Sequence, residues 1–520
     1  MPEIMLGVNK YTVFLLLTTL VISCSEAEKP QHGGTLRLPG GNVTGLDPKL
    51  DSEFTASVFV MDRIYSYLYK SEGDPGNVAD SISSDSAGRV WRIHLKKNLY
   101  FHDDPCFPGG AGEEITAEDI RFSYMRAKQL PHVVLPIDKQ VNNVEVLDRY
   151  LLKITLNEPN LRFLEELGRE EYVIVSKIAV EYYGDDFRFH PVGSGPFRLA
   201  ELDPGQVTLV KNENYWVTDE YGQKLPYLDK IVFTYDPDPV SRYRKLLSGE
   251  FDVISLSQIN SPSIVKYDVE SHSFALIDTL RESGYRLVEG RIFNLLHLKI
   301  ESQFHTNPYV EKALNMAIDR ERIQRNGMCT IGIPAGGPLY YPLSLEAEEH
   351  GYNPEMARTL LAQGGYPGGA GFPTVVIRTS TAAVPVAQEV IRDFKSIGIE
   401  AEYTVAPQLS NPIERKGSYM FLQMLNYTAW EDPLDQLMPY HGKYYLTLND
   451  SVFDSLYYLA EKEPSKKKRL GLVRRMERIV LDKPPLVFLF WNRYIYIAKD
   501  YVINLSPERF GVHGGTWIKK

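Results

Sequence analysis

From Gly33 onward the chain alternates short stretches of period-two hydrophobicity with helices that carry their own start signals, and no repeat of roughly 20 to 50 residues occurs. Trp91, Ile93 and Leu95 alternate with Arg92, His94 and Lys96; Tyr150, Leu152, Ile154 and Leu156 alternate with Lys153, Thr155 and Asn157. Ile231, Phe233 and Tyr235 repeat the pattern of a half-buried strand. Thr116 and Asp119 form a capping box, after which Ile120, Tyr124 and Ala127 share a face. Asn307-Pro308 opens a second helix with an apolar stripe at Val310, Ala313, Leu314, Ala317 and Ile318. Asn353-Pro354 opens a third, in which Ala357, Leu360 and Leu361 face a core and Gly364-Gly365 supplies the positive φ that stops it. Strands and helices interleaved in this way read as α/β or α+β.

The first 24 residues are of another kind. Lys10 precedes the uncharged run Tyr11 to Ile22, which ends in Ser23 and Cys24. About twelve apolar residues suit an export signal and fall short of the roughly 20 that span a bilayer. Val21-Ile22-Ser23-Cys24 resembles a bacterial lipobox, with cleavage before Cys24 and diacylglycerol on its thiol. A plain signal peptide with an incidental cysteine is the competing reading. Cys106 and Cys329 are the other two thiols, and a disulfide between them is neither required nor forbidden by the sequence.

Charge narrows the partners. With 57 Lys plus Arg against 67 Asp plus Glu the net charge is −10, and without a basic stripe a phosphate backbone is repelled. Lys466-Lys467-Lys468-Arg469 reads as a solvated helix face. The 33 Tyr, 22 Phe and 5 Trp suit a large recognition surface.

Catalytic constellations do not assemble. Ser194 lies in Gly193-Ser194-Gly195, which lacks nucleophile-elbow spacing, and Gly442-Lys443 is followed by Tyr444 rather than Ser or Thr. The eleven His include no HExxH pair, and His102 beside Asp103-Asp104 has no second ligand at helical spacing. A carboxylate pair for glycoside hydrolysis is invisible among 67 acidic residues.

Taken in order, the punctuated segments resemble family 5 extracellular solute-binding proteins, the receptors of ABC importers for oligopeptides, dipeptides, nickel chelates and related solutes. The resemblance runs from Gly33 to about Trp517. It is carried by Gly33 to Arg37 (GGTLR), Leu46-Asp47-Pro48, Ile64 to Leu68 (IYSYL), and Trp91 to His102 with Thr116 to Asp119, lengthened by an insertion at Cys106 to Gly112. Pro191 to Phe197 (PVGSGPF), Asn212 to Trp216 (NENYW), Tyr227 to Ile231 (YLDKI) and Leu247 to Asp252 (LSGEFD) continue it. Val310 to Arg320 (VEKALNMAIDR) and Tyr352 to Tyr366 complete it.

The resemblance implies an α/β, two-lobed periplasmic-binding-protein-like fold with an additional small domain inserted in the first lobe. The expected division is a lipoprotein signal peptide at 1–23, a tether at 24–32, and lobe I from 33–75, 185–285 and 490–520. The inserted subdomain then takes 76–184 and lobe II 286–489. Pro485 to Tyr494 reads as an apolar strand returning late to the first lobe.

In peptide-binding members of the family an Asp in a "gWgaDypDP" stretch pairs with the ligand's α-ammonium. Here the stretch is Asn426 to Pro433 (NYTAWEDP), one residue shorter, with Trp430 or Glu431 near the expected position. Glu431 can replace the Asp as the partner of a buried ammonium, or Trp430 can offer it a π face. The competing reading is a turn in which Asp432-Pro433 caps a helix and Trp430 is core. The resemblance thus puts ligand contacts at Asp51, Phe54, Tyr427, Trp430, Glu431, Asp432, Phe490 and Trp491, with packing as the alternative role for each.

The function it implies is a receptor lipid-anchored through Cys24, in the periplasm or at the cell surface. It would bind a small solute or short peptide between lobes and deliver it to ABC permease and ATPase subunits, as a monomer, with no cofactor, metal, nucleic-acid partner or catalysis. The alternatives are a secreted carbohydrate-active hydrolase and a receptor-like lipoprotein without a transporter. Cys24→Ser should abolish lipid attachment and move the protein from the membrane pellet to a soluble or unprocessed form, because stable anchoring needs two acyl chains. Unchanged mass and membrane residence in the variant would remove the lipobox.

Overall fold

The computed structural model describes residues 29–51, 55–127, 140–168, 172–256, 264–268, 273–300, 307–325, 332–335, 337–339, 351–405, 419–426, 432–442, 448–463, 465–505 and 514–519. The export signal, Cys24, Phe54, Cys329, Tyr427, Trp430 and Glu431 lie outside the described residues. Among those described, no helix is long and apolar enough to cross a membrane.

The helix start signals operate as read. The Thr116 backbone N–H and hydroxyl both donate to the Asp119 carboxylate, at 2.9 and 2.8 Å, and helix Ala117–Ala127 follows. Asn307 and Asn353 each accept an N–H three residues on, opening Pro308–Met316 and Pro354–Gln363 with proline at the first helical position. All five residues of the Val310 stripe are buried. The stop after Gln363 is supplied by Gly365 at φ +96°, while Gly364 keeps φ −72°.

Two four-stranded sheets build a first body. One runs Thr35–Gly40, Lys230–Tyr235, Gln206–Lys211, Phe197–Asp203, its first pair parallel. The other, Ala79–Ser84, Val90–Leu95, Leu151–Leu156, Val141–Asp148, is antiparallel and drawn wholly from residues 79–156. Leu36, Leu38, Ile231 and Phe233 from one sheet and Trp91, Ile93, Leu152 and Ile154 from the other share a core. Tyr235, expected beside Ile231 and Phe233, is exposed, because it is the last residue of its strand and lies past the packed centre of the sheet.

The PVGSGPF turn knots this body together. Gly195 N–H donates to the Ile64 carbonyl, and His102 N–H donates to that of Gly193. A Cβ on Gly193 would stand 2.1 Å from the Ile64 oxygen, so only glycine fits there. Ser194 is fully buried and its Oγ has no hydrogen-bond partner among the described residues.

A seven-stranded mixed sheet centres the second body, in the order Val253–Ser255, Leu486–Lys499, Tyr285–Ile300, Tyr419–Asn426, Val375–Thr379, Ala401–Val405, with Gly332–Pro334 also pairing Leu486–Lys499. One face carries a core of Leu295, Trp491, Leu434, Phe453 and Val473; the other carries Leu296, Leu298, Phe490, Val310 and Phe394.

Strands Tyr285–Ile300 and Leu486–Lys499 pair antiparallel along their lengths and reach from one body into the other. At one end the two faces of the pair part company: Val288, Tyr496 and Ala498 enter the core of the first body, and Ile495 and Ile497, alternating with them, enter a core of the second. Next to that end and onward along the pair the ladder shifts register at Glu289/Ile292, Ile292/Asn294 and Leu296/His297. Such irregularities bend a strand and weaken its ladder locally. The boundaries drawn from sequence at 285/286 and 489/490 both fall inside these continuous strands. Segment 246–280, assigned there to lobe I, supplies Leu246, Ile254, Phe274 and Leu280 to the same core as Leu434 and Phe453.

Burial leaves two histidines neutral. His102 and His297 are both pushed down to about 4 by loss of water, although the ring of His102 lies 3.0 Å from the Gly195 carbonyl and that of His297 lies 3.1 Å from Leu295 O. Above pH 6.5 both rings are neutral folded or unfolded, and they leave stability unchanged. As pH falls from 6.5 towards 4 only the unfolded chain takes up the protons, so stability should decline, by up to about 3 kcal/mol per ring. Urea unfolding across that window should show the slope, and His102→Gln should make it shallower; an unchanged slope would mean that His102 titrates normally in the fold.

Candidate functional site

Two stretches expected to line the slot lie on opposite bodies. On the first body, the LDP turn folds into Pro48–Asp51 through reciprocal bonds: Asp47 N–H donates to Asp51 Oδ2 at 3.0 Å, and Asp51 N–H donates to the Asp47 carbonyl at 2.8 Å. The two buried carboxylates then need cations. Arg126 from the inserted subdomain grips Asp47 with both terminal nitrogens, each at 2.6 Å. Arg188 reaches Asp51 Oδ1 at 2.6 Å. Gly45 permits this approach, since a Cβ there would lie 2.4 Å from Asp51 Oδ2 and 2.5 Å from Arg188 Nε.

On the second body, strand Tyr419–Asn426 ends at the candidate stretch and helix Pro433–Leu437 begins just after it. Asn426 lies in register with Asn294, which in turn pairs Asn492, so three asparagines cross adjacent strands at the strand end that leads into the stretch. Asp432 accepts Leu434 N–H at 2.9 Å as the helix cap. Its other oxygen is held by Arg469, at 2.9 Å from Nε and 2.7 Å from Nη2.

Arg469 corrects the reading of 466–469 as a uniformly solvated face. Lys466, Lys467 and Lys468 are exposed, but Arg469 is buried, and it also donates to the Glu463 carbonyl. The signal was in the helix itself: Arg469 precedes Val473, Met476 and Val480 on one apolar stripe, where a cation requires a buried partner.

Phe490 and Trp491 are both core residues, on opposite faces of the large sheet. Phe490 pairs Leu296 and Phe488 pairs His297, which leaves Leu489 as the extra residue of a bulge. That slip puts Leu489 and Phe490 together in one core while Trp491 turns to the other. Of the eight expected contacts, then, Asp51 and Asp432 are engaged in ion pairs and Phe490 and Trp491 in packing. Phe54, Tyr427, Trp430 and Glu431 lie outside the described residues.

Other reactive groups are quiet. Cys106 is a free, buried thiol, pushed up to about 12 chiefly by burial, with Asp104 adding to the shift. Among the described residues no group of three or more His, Cys, Asp or Glu could hold a metal ion.

These features define a class: one body of two four-stranded sheets around a shared core and one of a seven-stranded sheet with a core on each face, joined by paired strands of shifted register, with an inserted subdomain pinned to the first by Arg126 and Asp47. This is the two-lobed periplasmic-binding-protein-like α/β fold with an additional small domain. Residues 75–445 match bacterial extracellular solute-binding proteins, family 5 Middle, and the chain belongs to that family.

The glutathione-binding protein GsiB of Pectobacterium atrosepticum is 25% identical over 399 residues, 75% of this chain and 73% of that protein. GsiB of Salmonella choleraesuis is 27% identical over 401 residues, with the same shares. Among solved structures, the periplasmic binding protein DppA from Helicobacter pylori in complex with peptide STSA gives a TM-score of 0.73 at 22% identity, covering 94% of this chain and 99% of that one. The substrate-binding protein CtaP from Listeria monocytogenes gives 0.74 at 17% identity, covering 94% and 100%.

Asp432→Ala removes a cap and strands a buried guanidinium, and should cost about 3 kcal/mol or more in denaturant unfolding. Were Asp432 a solute ligand instead, the same change would spare stability and lower affinity.

Proposed function

We propose that this chain is an extracytoplasmic receptor of an ABC importer, lipid-anchored through Cys24, which binds one short peptide or peptide-like solute between its lobes and delivers it to a membrane permease. The observation that carries the reading is the pair of strands with shifted register, Tyr285–Ile300 and Leu486–Lys499, which with Val253–Ser255 beside them are shared by two bodies whose other elements pack around separate cores. Family membership supports it, as do relatives named for glutathione and a structural neighbour holding a tetrapeptide. The protein acts as a monomer and as a receptor rather than a catalyst. Closure is a population shift, driven only by contacts that the closed state makes better.

Solute contacts fall to Phe54, Tyr427, Trp430 and Glu431, while Asp51, Asp432, Phe490 and Trp491 brace the walls from behind. The shortened stretch makes a free α-ammonium a lesser determinant of affinity, so Trp430→Ala should weaken binding more than Glu431→Gln. Truncating a buried aromatic anchor costs roughly 2 kcal/mol or more.

Calorimetry with glutathione, a tetrapeptide and their N-acetylated forms tests this. The expected result is saturable binding of at least one, without turnover, with stabilisation of about 2.7 kcal/mol at 100 times Kd. Strong rejection of the acetylated forms together with a severe Glu431→Gln defect would restore the ammonium anchor; consumption of the solute would make the protein an enzyme.

A further inference from the structure

An ion pair joins the two bodies outside the strands they share. Arg162 Nη2 lies 2.5 Å from Asp435 Oδ2, across 273 residues of sequence. The side chains are only 15% and 18% exposed, so little water competes for either charge.

Both ends are rigidly mounted. Arg162 sits in a turn where its N–H donates to Asn160 Oδ1 at 2.9 Å, and Asn160 N–H donates to the Gly88 carbonyl at 3.1 Å. The next residue, Phe163, is fully buried with its ring 5.8 Å from that of Trp91. The backbones meet closely there, since a Cβ on Gly88 would lie 3.0 Å from the Asn160 oxygen. Asp435 rides on helix Pro433–Leu437, whose Leu434 and Leu437 are fully buried and whose cap Asp432 is clamped by Arg469. Neither side chain can follow its partner over a distance. When the bodies part, the bond breaks.

We infer that Arg162 and Asp435 form a latch across the cleft that sets how much of the solute-free protein is closed, and thereby sets affinity without touching solute. The inference rests on the reading of the chain as a closing receptor. Where the binding-competent state is only partly populated, the measured Kd is the intrinsic Kd divided by its fraction, so each change in the closed fraction passes directly into affinity. Asp435 is two residues beyond Pro433, which follows the candidate stretch, so the latch braces the same helix that ends the slot wall.

The test uses the solute-free full chain carrying Cys24→Ser, compared with the same chain bearing Arg162→Glu, Asp435→Arg, or both, in small-angle scattering at low and high salt. Each single reversal places like charges together and should enlarge the radius of gyration; the double reversal should return it, and salt should move the parent towards the single variants. For glutathione as probe, each single reversal should raise Kd about three- to tenfold, with recovery in the double variant. Asp435→Asn, which keeps the shape and drops the charge, should show the same direction at unchanged melting cooperativity.

Single variants that scatter as the parent does would overturn the latch. If they do so while glutathione still contracts every form, closure stands and only the latch falls. If all forms keep one size with glutathione bound, the closing receptor falls and the latch falls with it.

Discussion

Everything in this molecule hangs on two antiparallel strands that belong to both bodies. Tyr285–Ile300 and Leu486–Lys499 must stay paired to satisfy their backbone, yet one end of the pair lies between two cores, with Val288, Tyr496 and Ala498 in the first and Ile495 and Ile497 in the second. A regular ladder would make one stiff slab of them. The register shifts between Glu289 and His297 interrupt the ladder beyond the end that faces the first body, and the Glu289–Arg493 ion pair, at 3.0 Å, ties the two strands there without a ladder bond. In the proposed closing receptor these few residues are where the strands bend, with the seven-stranded sheet on one side and the twin sheets on the other moving as units.

The second consequence concerns the walls. A slot between rigid bodies keeps its shape only if the chain beside it is pinned, and here the pins are arginines. Arg126 holds Asp47, Arg188 holds Asp51 and Arg469 holds Asp432, each pair joining a turn or helix start in one of the proposed wall stretches to another element of the same body. Removing one partner from such a buried pair is far more costly than the pair is worth, because the remaining charge is left desolvated.

Local order was legible in the sequence because its causes are local. Thr116 with Asp119, Asn307 with Pro308 and the alternation through Trp91 to Leu95 each act over a few residues, and the structure uses each as read. The run of family-like segments carried the architecture. The site was legible only in outline. Asp51 and Asp432 look like candidate ligands in sequence, since nothing there reveals that Arg188 stands 137 residues away or Arg469 37 residues away to neutralise them. Phe490 and Trp491 are neighbours in sequence, but neighbours on a strand face opposite ways, and the Leu489 bulge that decides which core each one enters depends on register against a strand some 190 residues earlier. The two strands that run through the expected lobe boundaries carry polar breaks, Glu289 to Arg291 in one and Asn492-Arg493 in the other, and the ladder shifts register beside them, but a break of that kind in sequence does not say which core each half enters.

The central claim is that one solute is held by both bodies at once, and hydrogen–deuterium exchange of the protein saturated with glutathione or a tetrapeptide tests it most directly. The account predicts slowed exchange in two places together, around residues 46–56 of the first body and 424–436 of the second, with the distal edge strand Ala401–Val405 unchanged. Protection confined to one body, or found only at sites remote from both stretches, would contradict it.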